Sequence, residues 1–174
     1  GITIEGNHIH DFIRSHKSGD HADMIQFWTN GTKAPTTDVV IRGNIFDIGK
    51  GDLTQTILIG NEAVVSGAGR EMYYQNVTIT DNVIINDHVN AIRVGATDGL
   101  VISGNTLVAS GTGKVAGSPT INVDGKSHDV TVTDNTAAGF PVVKGQTDWN
   151  ISDNTAVQTK NPAAPGYYDD VHEA

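Results

Sequence analysis

A right-handed parallel β-helix of about six coils, with an Asn ladder and two inserted loops, is the all-β fold that this 174-residue sequence predicts. Two of the supporting observations come from composition. Val and Ile number 35 against 4 Leu, which favours strands because β-branched side chains lose rotamer freedom in helices. The 20 Gly and 14 Asn supply turns, since both tolerate left-handed backbone. The third observation is a repeated motif.

The motif reads apolar-x-apolar-x-[Gly or Asp]-Asn, and its alternation of period 2 indicates a short half-buried strand in each copy. The motif asparagines are 19 to 38 residues apart, which fits one solenoid coil with or without an inserted loop. We therefore expect each Asn to occupy the same bend of successive coils and to hydrogen-bond its neighbours as a ladder. The six copies lie at residues 2–7, 39–44, 77–82, 100–105, 130–135 and 149–154.

A second set of strands lies between the motif copies, and its alternation predicts the interior of the solenoid. Two inward columns are expected: Ile25, Ile57, Ile92, Ile121 and Val142, followed by Phe27, Ile59, Val94 and Val123. The outward residues are then Gln26, Leu58, Arg93, Asn122 and Val143, followed by Trp28, Gly60, Gly95, Asp124 and Gly145. The segments 28–38 and 60–76 are too long for simple turns, so they are the two inserted loops.

Residues 1–160 are expected to form the β-helix, and residues 161–174 a linker and C-terminal extension. Solenoids need capped ends, and neither end of this repeat array has the features of a cap. The sequence therefore predicts that the β-helix continues into further coils or domains of the same protein, or stacks in an assembly.

Composition also excludes several classes of partner and site. The net charge is −9, whereas nucleic-acid-binding domains present a basic face, so we expect no nucleic-acid partner. No run of about 18 apolar residues is present, so no membrane span is expected. The absence of Cys excludes a disulfide framework, a thiolate metal site and a Cys nucleophile.

Three aspartates occupy equivalent places in successive coils, each five residues before the inward Ile of its strand. They are Asp20, Asp52 and Asp87, and two of them are followed by a histidine, His21 and His88. An Asp at such a turn commonly caps the turn through its side chain. The alternative is a functional site in which the Asp-His pairs flank the exposed face of the second strand set.

The segment 19–28 is the richest in residues that can carry chemistry. Besides an Asp-His pair, it contains Asp23, Gln26 and an outward Trp28. An exposed Trp is a suitable platform for a sugar, because the apolar face of a pyranose ring stacks on an aromatic ring. Burial of Trp28 under an inserted loop is the alternative, since large aromatic side chains are mostly buried.

The second inserted loop supplies further candidates for substrate binding, namely Glu62, Arg70, Tyr73 and Tyr74. Long loops on a rigid solenoid are where binding residues concentrate. The alternative is that this loop only covers an apolar face.

The sequence contains candidate metal ligands but does not identify a metal. His8 and His10 lie on the same side of an extended segment, and Asp11, His16 and His21 follow them. These five residues are candidate ligands, but none of the ligand spacings typical of zinc sites is present.

The six motif copies and the strands between them resemble the pectate-lyase-like superfamily of right-handed β-helix proteins. They look most similar to bacterial mannuronan C-5 epimerases and alginate lyases, over about residues 2–157. Epimerases of this group typically carry Asp-Pro-His-[Glu or Asp], whereas this chain has Gly19-Asp20-His21-Ala22-Asp23 in a similar place, without the Pro. Phage tailspikes and adhesins use the same kind of repeat.

The resemblance implies a secreted or virion-surface protein that acts on an acidic polysaccharide, as a uronate lyase or a C-5 epimerase. Both reactions remove the C5 proton beside a uronate carboxylate, so a cation must neutralise that carboxylate. Arg93 is the best-placed cation, with Arg42 and Arg70 in reserve. A lyase then expels the O4 group, whereas an epimerase returns a proton from the opposite face.

For the base, the resemblance leaves two candidates, because His21 and His88 are of the residue type that titrates near neutral pH. One of the two tyrosines of the second inserted loop is expected to be the partner in proton transfer. Asp20 and Asp23 are expected to orient the histidine, or to bind the sugar or Ca²⁺.

A non-catalytic protein is the alternative that the sequence leaves open: a glycan-binding or structural β-helix segment of a surface protein, phage fibre or tailspike. Charge bears on this choice, because a protein with 11 basic and 20 acidic residues repels a polyuronate. A locally basic groove or a bridging Ca²⁺ ion would overcome the repulsion. Ca²⁺ is thus a candidate cofactor, although the sequence requires none.

Overall fold

The computed structural model describes residues 1–111 and 118–174, and within them the chain forms a parallel β-helix of six coils. The first four coils contribute three strands each and the last two contribute two. The strands therefore line up as two six-stranded sheets and one four-stranded sheet, in which all neighbouring strands are parallel. The predicted fold class is confirmed.

The three sheets follow one another around each of the first four coils, and the last two coils contribute only to sheets A and B. Sheet A holds the strands of the Asn motif: β1 (Ile2–Glu5), β4 (Thr37–Arg42), β7 (Tyr74–Thr80), β10 (Thr97–Ser103), β13 (His128–Thr133) and β15 (Trp149–Ser152). Sheet B holds the short strands β2 (His8–His10), β5 (Ile45–Asp47), β8 (Val83–Ile85), β11 (Thr106–Val108), β14 (Thr136–Ala137) and β16 (Thr155–Ala156). Sheet C holds β3 (Asp23–Trp28), β6 (Gln55–Gly60), β9 (Asn90–Val94) and β12 (Thr120–Val123).

The bend between sheets A and B explains why Gly or Asp precedes the motif Asn. That residue has a φ of 56° to 69° in all six coils, in the left-handed region. Gly enters this region without steric cost, and the short polar side chain of Asp is tolerated there. The residues concerned are Gly6, Gly43, Asp81, Gly104, Asp134 and Asp153.

The Asn ladder runs along the inside of this bend. In the first five coils, the backbone N–H and the side-chain Nδ2 of the motif Asn donate to Oδ1 of the Asn in the next coil, at 2.9–3.0 Å. From the second coil on, Nδ2 also donates back to the preceding coil, as Asn105 does to the Ile79 carbonyl. The four central amides are almost wholly shielded from water: Asn44, Asn82, Asn105 and Asn135.

The interior matches the predicted inward columns through the first four coils. The isoleucines of the first column and the aliphatic residues of the second are buried, while Phe27 is half-buried. The structure differs after Phe140, where no fifth strand of sheet C forms and Val142 is 91% exposed. The preceding residue, Pro141, has no N–H with which to extend the ladder of backbone hydrogen bonds.

In residues 1–111 and 118–174, helical structure is confined to short segments outside the coils. The second inserted loop folds into α1 (Glu62–Val65) and a 3₁₀ turn (Arg70–Met72). Near the C-terminus, α2 (Tyr168–His172) lies beside β11, where the Tyr168 hydroxyl donates to the Ala109 carbonyl at 2.9 Å. In the part of the chain that the structure describes, no helix has the length and apolar character needed to cross a membrane.

Removing a buried rung of the ladder is expected to destabilise the fold far more than removing its exposed end. Asn105→Ala strips the Asn82 donors and the Ile79 carbonyl of their partner in a dry interior, at about 1–3 kcal/mol per group. In the Asn7→Ala control, the side chain that is lost is exposed. Urea unfolding should show a loss of about 3 kcal/mol or more for Asn105→Ala and below about 1 kcal/mol for the control. Equal losses would contradict this role of the ladder.

Candidate functional site

A groove runs across sheet C and encloses about 510 Å³. It crosses four coils, because each strand of the sheet contributes to its lining. Four of the residues predicted as ligand contacts or catalysts meet in it, namely His21, Trp28, Glu62 and Arg93. Other polar residues of the lining are Gln55, Asn61, Asn90, Asn122 and Asp124.

Trp28 provides the aromatic surface of the groove. Its side chain is 45% exposed, so the inserted loop that follows it does not bury it. Gly60 is its partner on the neighbouring strand, and a Cβ atom at residue 60 would lie 2.7 Å from Cε3 and Cζ3 of the indole. The ring therefore rests on bare backbone, and its exposed part is available for stacking.

Arg93 is the cation of the groove. It lies in the middle of β9 and is exposed, and among the described residues its guanidinium has no ion pair or hydrogen bond. Arg42 and Arg70 each bind a carboxylate instead, at 2.8 Å and 2.7 Å, and neither lines the groove. The unpaired charge is thus placed at Arg93 rather than at the two reserve arginines.

His21 and Asp23 form a hydrogen-bonded pair at the edge of the groove, with 2.6 Å between Nδ1 and Oδ2. The Asp23 side chain is fully buried, whereas that of His21 is 56% exposed. The Gln26 amide donates to the same carboxylate oxygen at 3.1 Å. A buried carboxylate that accepts from Nδ1–H holds the imidazole in one tautomer, so the lone pair is on Nε2.

Gln55 is a site residue that was not predicted from the sequence. Its Nε2 lies 2.9 Å from Nε2 of His21, and its side chain is almost wholly buried. Since Nε2 of His21 is the acceptor, the Gln55 amide donates to it, and both ring nitrogens are engaged. The alignment of the strands could have predicted this contact, because Gln55 and Asp23 are paired across β6 and β3 and each lies two residues before an inward Ile.

Burial governs the ionisation of the groups beneath His21. Desolvation raises the pKa of Asp23, and the hydrogen bond from His21 together with the charges of His21 and His88 opposes this rise. Desolvation lowers the pKa of His88, with the charge of Asp23 acting against it. The Nδ1 atom of His88 accepts from the Asn90 N–H at 3.0 Å, so the neutral ring is the form that the fold favours.

The three aspartates predicted as a row do not form one site. Asp52 lies 3.0 Å from His16, and Asp87 is buried and accepts the backbone N–H of Ser110 at 2.8 Å. Asp20 is exposed and hydrogen-bonded within its own turn. The carboxylate that orients His21 therefore comes from within strand β3 and not from the preceding turn.

The second inserted loop brings Glu62 to the groove because Asn61 anchors the loop in the solenoid. The Asn61 amide accepts from the Thr29 hydroxyl at 3.1 Å and from the Val64 N–H at 3.3 Å, and it donates to the Ala96 carbonyl at 3.0 Å. This places α1 at the rim of sheet C. The groove consequently carries charges of both signs.

The two tyrosines of that loop lie outside the groove. Tyr74 is 1% exposed, its hydroxyl donates to the Gly60 carbonyl, and burial raises its pKa to about 12. Tyr73 is also buried, and its ring stacks on His128 with 6.3 Å between centroids. The structure therefore does not bring either tyrosine to His21 or Arg93 for the predicted proton transfer.

The candidate metal ligands are dispersed. His8 and His10 have ring centroids 4.8 Å apart, while His16 and His21 bind separate carboxylates. Within residues 1–111 and 118–174, no three His, Asp or Glu side chains are arranged to hold a metal ion. A role for Ca²⁺ stays a prediction.

Comparison with known proteins adds no family assignment. No protein-family model, curated protein or solved structure matches the chain. The resemblance drawn from the motif and the strands between its copies therefore remains a hypothesis, and the fold and groove are described from the chain's own geometry.

His88 is expected to make stability depend on pH. Its pKa is lowered by folding, so the unfolded chain takes up the proton first as the pH falls below 6.5. The stabilising contribution is complete above that value and is lost as the pH falls to the folded-state pKa. Free energies of unfolding from about pH 7.5 to about pH 5 should decline less steeply in His88→Gln than in the wild type. Parallel profiles would contradict this assignment.

Proposed function

We propose that the groove binds an acidic polysaccharide, and that Trp28 and Arg93 are its principal contacts. The observation that carries the proposal is that an exposed indole and an unpaired guanidinium share one groove. The indole offers a stacking surface for a sugar ring, and the guanidinium matches the geometry of a carboxylate. Their strands, β3 and β9, are two spacings apart, about 10 Å, so a single glycan chain lying across the coils reaches both.

The mixed charge of the groove favours a sugar over other polyanions. Glu62 and Asp124 accept hydrogen bonds from hydroxyl groups and repel a ligand that is anionic throughout. The amides of Asn90 and Asn122 both donate and accept, as hydroxyl groups do. A uronate chain carries both kinds of partner: its carboxylates pair with the guanidinium, and its hydroxyl groups hydrogen-bond to the carboxylates and amides of the groove.

A catalytic role is the second candidate, and the His21–Asp23 pair favours it. In this proposal Arg93 neutralises the uronate carboxylate and Nε2 of His21 takes the C5 proton. In a lyase, the electron pair left at C5 forms the C4–C5 double bond as the C4–O4 bond breaks, and O4 takes a proton from solvent water. In an epimerase, C5 instead takes a proton from solvent water on the opposite face. Substrate must first displace the Gln55 amide, because that amide occupies the lone pair of Nε2.

Binding without catalysis is the competing function, and the same contact between Gln55 and His21 supports it. A groove whose histidine keeps both ring nitrogens engaged holds glycan without removing a proton. Such a protein would serve as a glycan-binding segment of a secreted, surface or phage-fibre protein. The resemblance to epimerases and lyases supports the catalytic candidate, so an activity assay must decide between the two.

Binding is expected to depend on the aromatic ring and the cation. Arg93→Gln should weaken binding of alginate or pectate oligosaccharides about tenfold or more, since a charged hydrogen bond contributes roughly 1.5–3 kcal/mol. Trp28→Ala should weaken the same binding because it removes the stacking surface. Arg42→Gln is the matched control, because it removes the same charge from sheet A outside the groove. Isothermal titration calorimetry measures all four proteins. Equal weakening by Arg42→Gln would show that the loss of affinity comes from the change in net charge. Unchanged binding in both groove variants would show that the groove is not the binding site.

Catalysis is expected to require His21. Wild-type protein incubated with alginate or pectate should produce absorbance from unsaturated uronate, or should exchange the C5 proton for deuterium in NMR spectra. His21→Gln should reduce either signal by about two orders of magnitude or more, the usual contribution of a general base. Binding by the wild type with neither signal would establish the non-catalytic alternative.

A further inference from the structure

A second cavity adjoins the groove at the edge where the strands of sheet C begin. This side cleft encloses about 250 Å³, and the turns before β3, β6 and β9 form its walls. Its side chains with polar groups are Arg14, Asp20, His21, Thr54, Gln55 and His88. His21 and Gln55 line both cavities, so the side cleft and the groove adjoin at this pair.

The four arginines of the chain fall into two classes. Arg42 and Arg70 are neutralised by carboxylates at 2.8 Å and 2.7 Å. Arg14 and Arg93 are exposed, and neither has an ion pair or hydrogen bond in the described part of the chain. In a protein with 20 acidic residues, the two unpaired guanidinium groups are those that line the side cleft and the groove.

From this arrangement we infer that Arg14 forms a second carboxylate subsite, so that one acidic oligosaccharide spans both cavities. The inference rests on the proposed function of the groove. One carboxylate of the ligand binds Arg93, the chain passes over the exposed imidazole of His21, and a later carboxylate binds Arg14. Arg14 is not among the residues that the sequence predicted as substrate contacts.

The remaining charges of the side cleft are compatible with an anionic group. Asp20 is the carboxylate among the described lining residues, and it is hydrogen-bonded to Ser18 in its own turn. The ring of His88 is favoured in its neutral form by burial. Arg14 is the one permanently charged cation among the described lining residues, and the single carboxylate of Asp20 opposes it.

The subsite is tested by ligand length. Oligomannuronates and oligogalacturonates of increasing length are titrated calorimetrically into the wild type, Arg14→Gln, Arg93→Gln and the control Arg42→Gln. Arg93→Gln should weaken every ligand. Arg14→Gln should leave the shortest binding ligands unchanged and remove the gain in affinity, about tenfold, that the wild type shows beyond a threshold length. Matching urea midpoints for the four proteins exclude misfolding as the cause.

The outcomes separate the two levels of the proposal. If Arg14→Gln matches the wild type at every length while Arg93→Gln weakens binding, the subsite is overturned and the function of the groove stands. If Arg14→Gln weakens short and long ligands equally, its effect is long-range charge and the subsite is again overturned. If the wild type binds no oligouronate of any length, the proposed function fails and the inference fails with it.

Discussion

The hydrogen-bonded stack of buried asparagines is the interaction on which the rest of the structure depends. Each central amide is bonded to the coil before it and the coil after it, so the bend of one coil sets the position of the next. A slip by one residue would leave these donors and acceptors unpaired in an interior without water. The register of sheets A and B follows from the ladder, and sheet C inherits it through the continuous chain.

That register shapes the groove on sheet C. It aligns Trp28, Gly60, Gly95 and Asp124 at equivalent positions of four coils, with an aromatic ring at one end and a carboxylate at the other. Gly60 and Gly95 leave room for the side chains around them. A Cβ atom at residue 60 would clash with the Trp28 indole, and one at residue 95 would lie 2.9 Å from Asn61. The rigid backbone of the sheet therefore fixes the separation of Trp28 and Arg93, so that these two side chains are preorganised.

The His21 cluster is the part of the groove on which the two proposed functions, binding and catalysis, differ. Burial of Asp23 holds a carboxylate where its charge is poorly solvated, and the hydrogen bond from His21 offsets part of that penalty. The pairing fixes the histidine, as a general base requires, but Gln55 takes the lone pair that a base must use. The free energy needed to move that one amide is what distinguishes the two proposed functions, because both proposals use the other residues of the groove in the same way.

The sequence by itself determined the coil, and also which side chains face outward at the groove. Period 2, the Gly or Asp in left-handed backbone and the Asn after it are local features, so the six coils and outward residues such as Trp28, Arg93 and Asp124 were identifiable. Only the tertiary structure decided which polar groups meet. Gln55 reaches His21 from 34 residues away, Arg42 is neutralised by Glu5 from 37 away, and Tyr74 is buried. Contacts between coils depend on the lengths of the intervening loops, and the pattern within one coil does not encode them.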